Sequence, residues 1–152
     1  RRIIRALEVY YLTGKPFSSF IASKQSKQPV YRLYMFGLNM DRSKLYRRIE
    51  QRVDNMIAAG FVSEVQQILA RGYSRNLNSM RSLGYREIAS YLYGEITLEE
   101  AIALIKRNTR RFAKRQLSWF RRDKRIKWLD LDSFDNEEAV VQEITNSLEG
   151  VF

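Results

Sequence analysis

Apolar and polar positions along this chain follow mainly the period of an α-helix. Over most of its length, apolar side chains recur three or four residues apart, which places them on one face of a helix. Asp41 precedes one such segment as an N-cap residue, and Thr97 with Glu100 forms a capping box before the longest. The pattern predicts six helices, within residues 2–12, 41–60, 60–72, 80–93, 98–122 and 135–148.

Three further segments depart from the helical pattern. Residues 30–40 are apolar on both faces, as in a strand of a parallel sheet that is covered on both sides, and residues 126–131 form a shorter strand. Residues 16–29 are rich in Ser, Lys and Gln, which predicts a mobile loop. We therefore expect a mostly α fold with a few strands. Since a buried parallel strand needs more partners than this chain supplies, and Arg1 opens it without a methionine, we expect a fragment of a longer protein.

The residue types present argue against several kinds of chemistry. The 152 residues include no Cys and no His, which removes thiolate nucleophiles and the commonest general base and metal ligand. Gly14 and Lys15 lack the upstream glycine of a phosphate-binding loop and precede Pro16. No pair of carboxylates suggests acid–base catalysis, so the residues alone indicate a protein that binds. No apolar run reaches membrane-spanning length and no signal peptide is visible, which predicts a cytoplasmic protein with no membrane partner.

The net charge of +10 arises in one stretch, residues 106–127, which we call the cationic strip. It contains eleven Lys or Arg and one acid, Asp123, whereas the other residues carry 16 basic and 16 acidic side chains. Such a concentration of positive charge on an otherwise neutral chain is typical of a polyanion-binding site, and nucleic acid is the commonest such partner.

Winding residues 98–125 as a helix separates the strip's charges from an apolar face. The cationic ridge consists of Arg107, Arg110, Arg111, Lys114, Ser118, Arg121, Arg122 and Arg125. The opposite face, which we expect to be buried as core, consists of Leu98, Ile102, Ile105, Thr109, Phe112, Ala113, Gln116 and Phe120. The alternatives to polyanion binding are a solvated helix face and a membrane-surface helix. Solvated faces normally interleave Glu with Lys, and no carboxylate lies within this arc, so we favour polyanion binding, with folded RNA as the expected polyanion.

Two side chains on this helix leave alternatives open. Gln116 interrupts the apolar face, either because its amide binds nearby backbone or because it points into a substrate cavity. Trp119 lies at the border between the faces, and it is either a core residue or a platform on which an unpaired base stacks.

Arginines outside the strip are further candidates. Arg52 is expected to be half-buried beside Val53, where it pairs with Asp54 or Glu50 or else binds a phosphate. Gly84, between Arg81 and Arg86, costs about 1 kcal/mol relative to alanine inside a helix, which suggests that a backbone or ligand approaches there. A smaller basic cluster near the start of the chain consists of Arg1, Arg2 and Arg5.

Four short sequence strings, taken in their order along the chain, resemble the tRNA dimethylallyltransferases, also called isopentenyl-tRNA transferases. They are RRIIRALEV at residues 1–9, RIEQR at 48–52, RSLGYRE at 81–87 and KRQLSWFR at 114–121. Any one string is weak, but four in sequence are specific, and the resemblance extends at least to Leu131. It fits the C-terminal half of a bacterial-type enzyme without a zinc-finger module.

The resemblance implies transfer of a dimethylallyl group from its diphosphate to N6 of the adenosine beside the anticodon, at tRNA position 37. It implies a P-loop kinase-like three-layer α/β core with a helical tRNA-binding insertion. Residues 1–40 and 123–152 would belong to the core and residues 41–122 to the tRNA-binding region. The implied partners are the tRNA anticodon arm and dimethylallyl diphosphate, with Mg²⁺ in the complete enzyme and a monomer as the expected state.

The same resemblance implies roles for particular residues. Arg52 would bind the diphosphate, and no catalytic residue falls within this fragment, which we expect to be inactive alone. The implied tRNA-binding residues are Arg1, Arg2, Ile3, Ile4, Arg5, Arg81, Ser82, Leu83, Gly84, Tyr85, Arg86, Lys114, Arg115, Gln116, Leu117, Ser118, Trp119, Phe120 and Arg121. Two rival interpretations remain: a non-catalytic helical RNA- or DNA-binding module, and a basic scaffold for acidic protein partners.

Overall fold

The computed structural model describes residues 2–25 and 31–149, and the side chains of 2–21 and 31–149. Contacts divide the chain into two compact units, Arg1–Tyr34 and Met35–Phe152, which we describe separately. Arg1, residues 26–29 of the expected loop and Val30 of the expected strand lie outside the described residues.

The first unit contains two helices, α1 at Arg2–Thr13 and α2 at Phe17–Gln25. Helix α1 has the predicted extent and is followed by Gly14 in a left-handed conformation, with φ of 67°. Helix α2 shows that the predicted loop is wrong for residues 17–25. Phe17, Phe20 and Ile21 have helical spacing, and no glycine or proline interrupts the segment, so its polar composition does not prevent a helix.

The second unit contains five helices and two strands in the described residues. They are β1 at Met35–Asn39, α3 at Arg42–Ala58, α4 at Phe61–Ala70, α5 at Tyr85–Leu92, α6 at Leu98–Phe120, β2 at Ile126–Asp130 and α7 at Glu137–Asn146. A short 3₁₀ turn, Leu131–Ser133, lies between β2 and α7. Among the described residues, no helix is both long and apolar enough to cross a membrane.

Capping side chains fix the starts of α3 and α6, and α6 carries most of the cationic strip. The Asp41 carboxylate accepts hydrogen bonds from the backbone N–H of Ser43 at 2.8 Å and Lys44 at 3.2 Å. At α6, the Thr97 hydroxyl accepts from the backbone N–H of Glu100 at 3.2 Å, and the Glu100 carboxylate accepts from that of Thr97 at 2.8 Å. Both predicted starts are confirmed, because these bonds satisfy N–H groups that a helix leaves free.

Two other predicted helix starts are wrong. The segment 80–93 is helical only from Tyr85, and Gly84, with φ of 93°, is the N-cap of α5 instead of an interior residue. Asn136, not Asp135, caps α7, and its side chain accepts from the backbone N–H of Ala139 at 2.8 Å. Val141, predicted to face inward, is 62% exposed, since it lies about 100° around the helix from buried Val140.

The two strands form a parallel pair. Met35 aligns with Ile126 and Gly37 with Trp128, and a Cβ at Gly37 would lie 2.7 Å from the Trp128 ring, so glycine lets the indole pack on the strand. The predicted strand over 30–40 is shorter, and its predicted burial is wrong: Leu38 is 53% exposed. Within the described ranges only β2 pairs with β1.

The core of the second unit lies between α3, α4, α5 and α6. Side chains on facing stripes of these helices remove their apolar surface from water, at roughly 1.5–3 kcal/mol for each large aliphatic or aromatic side chain. The buried cluster consists of Val53, Phe61, Val65, Met80, Ile88, Ala89, Ala101 and Ile105. These contacts hold the first half of α6 in place, whereas the second half extends past them with the cationic strip.

Candidate nucleic-acid interface

Helix α6 carries most of the cationic ridge, but the ridge is shorter than predicted. The helix ends at Phe120, so Arg121 is its C-cap and Arg122 lies in the following turn. Arg125 is beyond the helix, and its guanidinium binds the carboxylate of Asp123 at 2.6 and 2.9 Å. These contacts from the Arg125 side chain and backbone lower the pKa of Asp123 to about 2. Arg125 is therefore not part of the ridge.

Carboxylates of the same chain neutralise part of the cationic strip. Arg110 pairs with Glu50, and Lys106 pairs with Asp54 at 2.6 Å. No carboxylate lies on the ridge of α6 itself, but Glu50 offsets the charge of Arg110, because α3 packs along this edge of α6. Lys127 likewise pairs with a carboxylate of α7 at 2.7 Å.

Seven of the eleven cations in the strip make no ion pair with the described residues. They are Arg107, Arg111, Lys114, Arg115, Arg121, Arg122 and Lys124. Because their mutual repulsion is not offset by this part of the chain, the surface retains a strong attraction for a polyanion.

The apolar face of α6 is buried only along its first half. Ala101 and Ile105 are buried, whereas Phe112, one heptad after Ile105, is 49% exposed and Gln116 is also exposed. Burial was predicted for both, but the buried cluster contains no residue of α6 beyond Ile105, and Phe112 lines an open groove instead. The side-chain amide of Gln116 makes no hydrogen bond with the described residues, so the predicted bond from this amide to nearby backbone is wrong. Its location in a substrate cavity stays a prediction.

A groove of about 660 Å³ brings together two of the predicted tRNA-binding segments. One wall comes from the turn before α5 and the other from the exposed half of α6. We call it the arginine groove, and its lining consists of Arg81, Ser82, Leu83, Arg86, Asn108, Arg111, Phe112 and Arg115. Four guanidinium groups thus border one depression, although the two walls are far apart in sequence.

The buried side chain of Glu87 connects the two walls of the arginine groove. Its side chain is 3% exposed, and its carboxylate accepts from the backbone N–H of Gly84 at 2.9 Å, the Arg86 guanidinium at 2.7 Å and the Asn108 amide at 2.9 Å. Burial raises the pKa of Glu87, but these hydrogen bonds outweigh it and hold the pKa below its usual value. Sequence reasoning did not identify Glu87, although its position three residues after a helix cap was an available signal.

Tyr85, in the predicted tRNA-binding segment 81–86, packs against the core. Tyr85 packs edge-on against Phe61, with ring centroids 5.1 Å apart, and its hydroxyl donates to Glu64. That hydrogen bond, with burial, raises the pKa of Tyr85. A Cβ at Gly84 would lie 3.0 Å from the Phe61 ring, so the neighbour of this glycine is a core side chain and not the predicted backbone. Approach of a ligand there stays a prediction.

Two more depressions follow the cationic strip. One of about 340 Å³ lies after β1 and is lined by Asn39, Met40, Arg42, Leu45, Tyr46, Lys114, Leu117, Ser118 and Arg121. Another of about 470 Å³ is lined by Arg111, Lys114, Arg115, Ser118, Trp119 and Arg122. Trp119 is 65% exposed, so its core interpretation is wrong, and its stacking on a base stays a prediction. Its ring meets Phe120 edge-on, with centroids 4.8 Å apart.

Arg52 is exposed on α3, which contradicts its predicted half-burial. Successive residues of a helix lie about 100° apart, so burial of Val53 does not draw in the preceding side chain. The expected internal partners are also wrong, because Glu50 binds Arg110 and Asp54 binds Lys106. Within the described residues Arg52 makes no ion pair.

The predicted cluster near the start of the chain lies on α1. Ile3 and Ile4 are 78% and 60% exposed, and Arg2 is exposed beside them. Arg5 pairs with Glu8 at 3.2 Å, and Arg1 lies outside the described residues.

A family model described as IPP transferase matches residues 1–123. The chain belongs to the IPP transferase family. Among its relatives, it is 60% identical over 151 residues to a tRNA dimethylallyltransferase of Pelotomaculum thermopropionicum, covering 99% of this chain and 48% of that protein. It is 57% identical over 149 residues to one from Desulforudis audaxviator, covering 98% and 48%. The chain thus spans about half the length of the curated relatives it matches.

Solved structures of two family members contain the same fold over somewhat less than half of their length. The tRNA isopentenylpyrophosphate transferase of Bacillus halodurans superimposes with a TM-score of 0.75 at 42% identity, over 99% of this chain and 44% of that one. The tRNA isopentenylpyrophosphate transferase of Staphylococcus epidermidis gives a TM-score of 0.75 at 34% identity, over 97% and 48%. Membership in the IPP transferase family, and the predicted mostly helical chain with a few strands, are therefore established.

Proposed function

We propose that this chain is part of a tRNA dimethylallyltransferase. The enzyme transfers a dimethylallyl group from dimethylallyl diphosphate to N6 of the adenosine adjacent to the anticodon, at position 37. The relatives with which the chain shares more than half its residues carry that name. The observation that carries the proposal is the arginine groove, where residues 81–86 and the exposed half of α6 meet.

The cations of the strip that make no ion pair with the described residues hold the tRNA anticodon arm by its phosphates. Arginine presents a planar fork of donors to phosphate oxygens, and release of counterions from the RNA favours association at low salt. The arginine groove and residues 114–121 contact the tRNA, and the exposed arginines of α1 are separate tRNA contacts. Trp119, exposed among Lys114, Arg115 and Arg122, stacks on an unpaired base of the anticodon loop.

Arg52 binds the prenyl diphosphate. The diphosphate is the leaving group, so a cation at its oxygens stabilises the negative charge that develops as the bond to the dimethylallyl carbon breaks. Arg52 is available for this task because both neighbouring carboxylates on α3 are already paired. Mg²⁺ is expected with the diphosphate, but no cluster of three carboxylate, His or Cys side chains in the described ranges fits a metal ion, so no step here uses one.

The remaining proposals concern the whole enzyme. Residues 1–40 and 123–152 belong to a P-loop kinase-like core, to which the parallel pair β1–β2 contributes, and residues 41–122 form the tRNA-binding region. The enzyme works as a monomer in the cytoplasm, where its tRNA substrate is found.

Product analysis with the full-length protein tests the proposal. The protein is incubated with dimethylallyl diphosphate and unmodified tRNA, and the tRNA is digested to nucleosides and, separately, to oligonucleotides for mass spectrometry. We expect N6-dimethylallyladenosine at the position next to the anticodon. A protein that binds tRNA but forms no product would support the non-catalytic module. Equal binding of tRNA and heparin, without product, would support the scaffold for acidic proteins.

A further inference from the structure

We propose that the arginine groove is a subsite for one unpaired nucleotide of the RNA and that Phe112 is the platform on which its base stacks. This inference rests on the proposed function. It assigns Phe112 a role in substrate binding, although the sequence pattern places this residue on the apolar face of α6.

The exposure of Phe112 is the first observation behind this proposal. Ala101 and Ile105 on the same face of α6 are buried, at 0% and 3% exposure, whereas Phe112 is 49% exposed. No residue of the core cluster covers the ring, because Phe112 borders the open groove between the turn before α5 and this half of α6. An aromatic ring at the edge of a depression offers a flat apolar surface that the other side chains of the lining do not provide.

The charge around Phe112 indicates what covers it. Arg81 and Arg86 on one wall and Arg111 and Arg115 on the other border the same groove as the ring. An apolar segment of protein would be a poor occupant, since it would remove four guanidinium groups from water without pairing them. A nucleotide suits both features, because its base stacks on the ring while its phosphates meet the arginines.

Glu87 connects the two walls of the groove. It lies beside Arg86 in the first turn of α5 and accepts a hydrogen bond from Asn108 on α6, which sets the separation between the walls. The groove volume of about 660 Å³ lies in the range typical of small-molecule sites, roughly 300–1,000 Å³.

Binding of an anticodon stem-loop to the full-length protein tests the inference. Phe112→Leu keeps an apolar side chain but removes the aromatic face, and Phe112→Tyr keeps the face. Tyr73→Leu is the matched control, since Tyr73 is 56% exposed and lies outside the groove. We expect Phe112→Leu to weaken binding by roughly 5- to 150-fold, the range for loss of base–aromatic stacking. The tyrosine variant and the control should bind within about twofold of the wild type.

A series of RNAs, each with one abasic nucleotide in the loop, separates stacking from packing. If Phe112 stacks on a base, the loss caused by Phe112→Leu disappears for the RNA that lacks that base. Unchanged affinity in Phe112→Leu would overturn the inference. So would an equal loss on every abasic RNA, which would indicate that another part of the protein covers the ring.

Two controls keep the test decisive. Thermal midpoints are measured for each variant, and Phe112→Met replaces the leucine variant if that protein is unfolded. If the wild type neither binds the stem-loop nor prenylates tRNA, the proposed function fails. If it does both while Phe112→Leu behaves like the wild type, only the stacking subsite fails.

Discussion

The carboxylate of Glu87 accepts a hydrogen bond from the side-chain amide of Asn108 at 2.9 Å, which joins the turn before α5 to the middle of α6. The same carboxylate binds Arg86 and the backbone of Gly84. One buried acid thus positions both walls of the arginine groove, and it does so without facing the RNA itself.

Replacing Glu87 with alanine should destabilise the protein by about 1–3 kcal/mol, because a buried backbone N–H and the Asn108 amide lose their acceptor. RNA affinity should fall as well, since Arg86 is no longer held. Urea denaturation and filter binding measure the two effects. Glu138→Ala, at an exposed glutamate of α7, should change stability by less than about 0.5 kcal/mol. Equal stability of the two variants would show that Glu87 does not anchor the groove.

The stabilisation by Glu87 should depend on pH in a defined direction. Its pKa is lowered on folding, so below its ordinary value of 4.5 the unfolded chain binds more protons than the folded one. The stabilisation is fully present above about pH 4.5 and is lost as the pH falls through the folded-state pKa. The free energies of unfolding of the wild type and Glu87→Gln should therefore converge on acidification. Curves that stay parallel from about pH 6 to about pH 3 would contradict this assignment.

Gly84→Ala should lower stability for two reasons. An alanine at φ of 93° is strained by about 1–3 kcal/mol, and its Cβ would lie 3.0 Å from the Phe61 ring. Gly72→Ala is the matched control, because Gly72 has φ of 86° and open space around the added Cβ. We expect the Gly84 variant to be less stable than the control by roughly 1 kcal/mol in urea denaturation. Equal losses would mean that packing against Phe61 has no effect.

Arg52→Ala should raise the KM for dimethylallyl diphosphate or lower kcat in the full-length enzyme. Its thermal midpoint should be unchanged, because Arg52 is exposed and makes no ion pair with the described residues. Arg47→Ala, at another exposed arginine of α3, is the control for a lost positive charge. If both variants have wild-type steady-state kinetics, Arg52 has no role at the diphosphate.

Local signals in the sequence were sufficient to predict most of the helices. Asp41 and Thr97 mark helix starts by hydrogen bonds to residues two or three positions away, so pattern and structure agree there. The burial of Phe112 and Arg52 was predicted wrongly, because helical period alone does not show which positions of a helix the neighbouring elements cover. Glu87 was missed since its partner Asn108 lies 21 residues away, a distance that only the tertiary structure closes.

The salt dependence of tRNA affinity tests most directly whether the cationic strip holds RNA. Lys114 and Arg121, both free of ion pairs with the described residues, are reversed together to glutamate in the full-length protein. Arg47→Glu with Arg71→Glu provides the same change of charge outside the strip. We predict that the strip variant binds tRNA more weakly than the control and that the slope of log affinity against log salt falls by about 0.7–0.9 for each lost phosphate contact. If affinity and slope remain those of the wild type, the strip is not the RNA-binding surface.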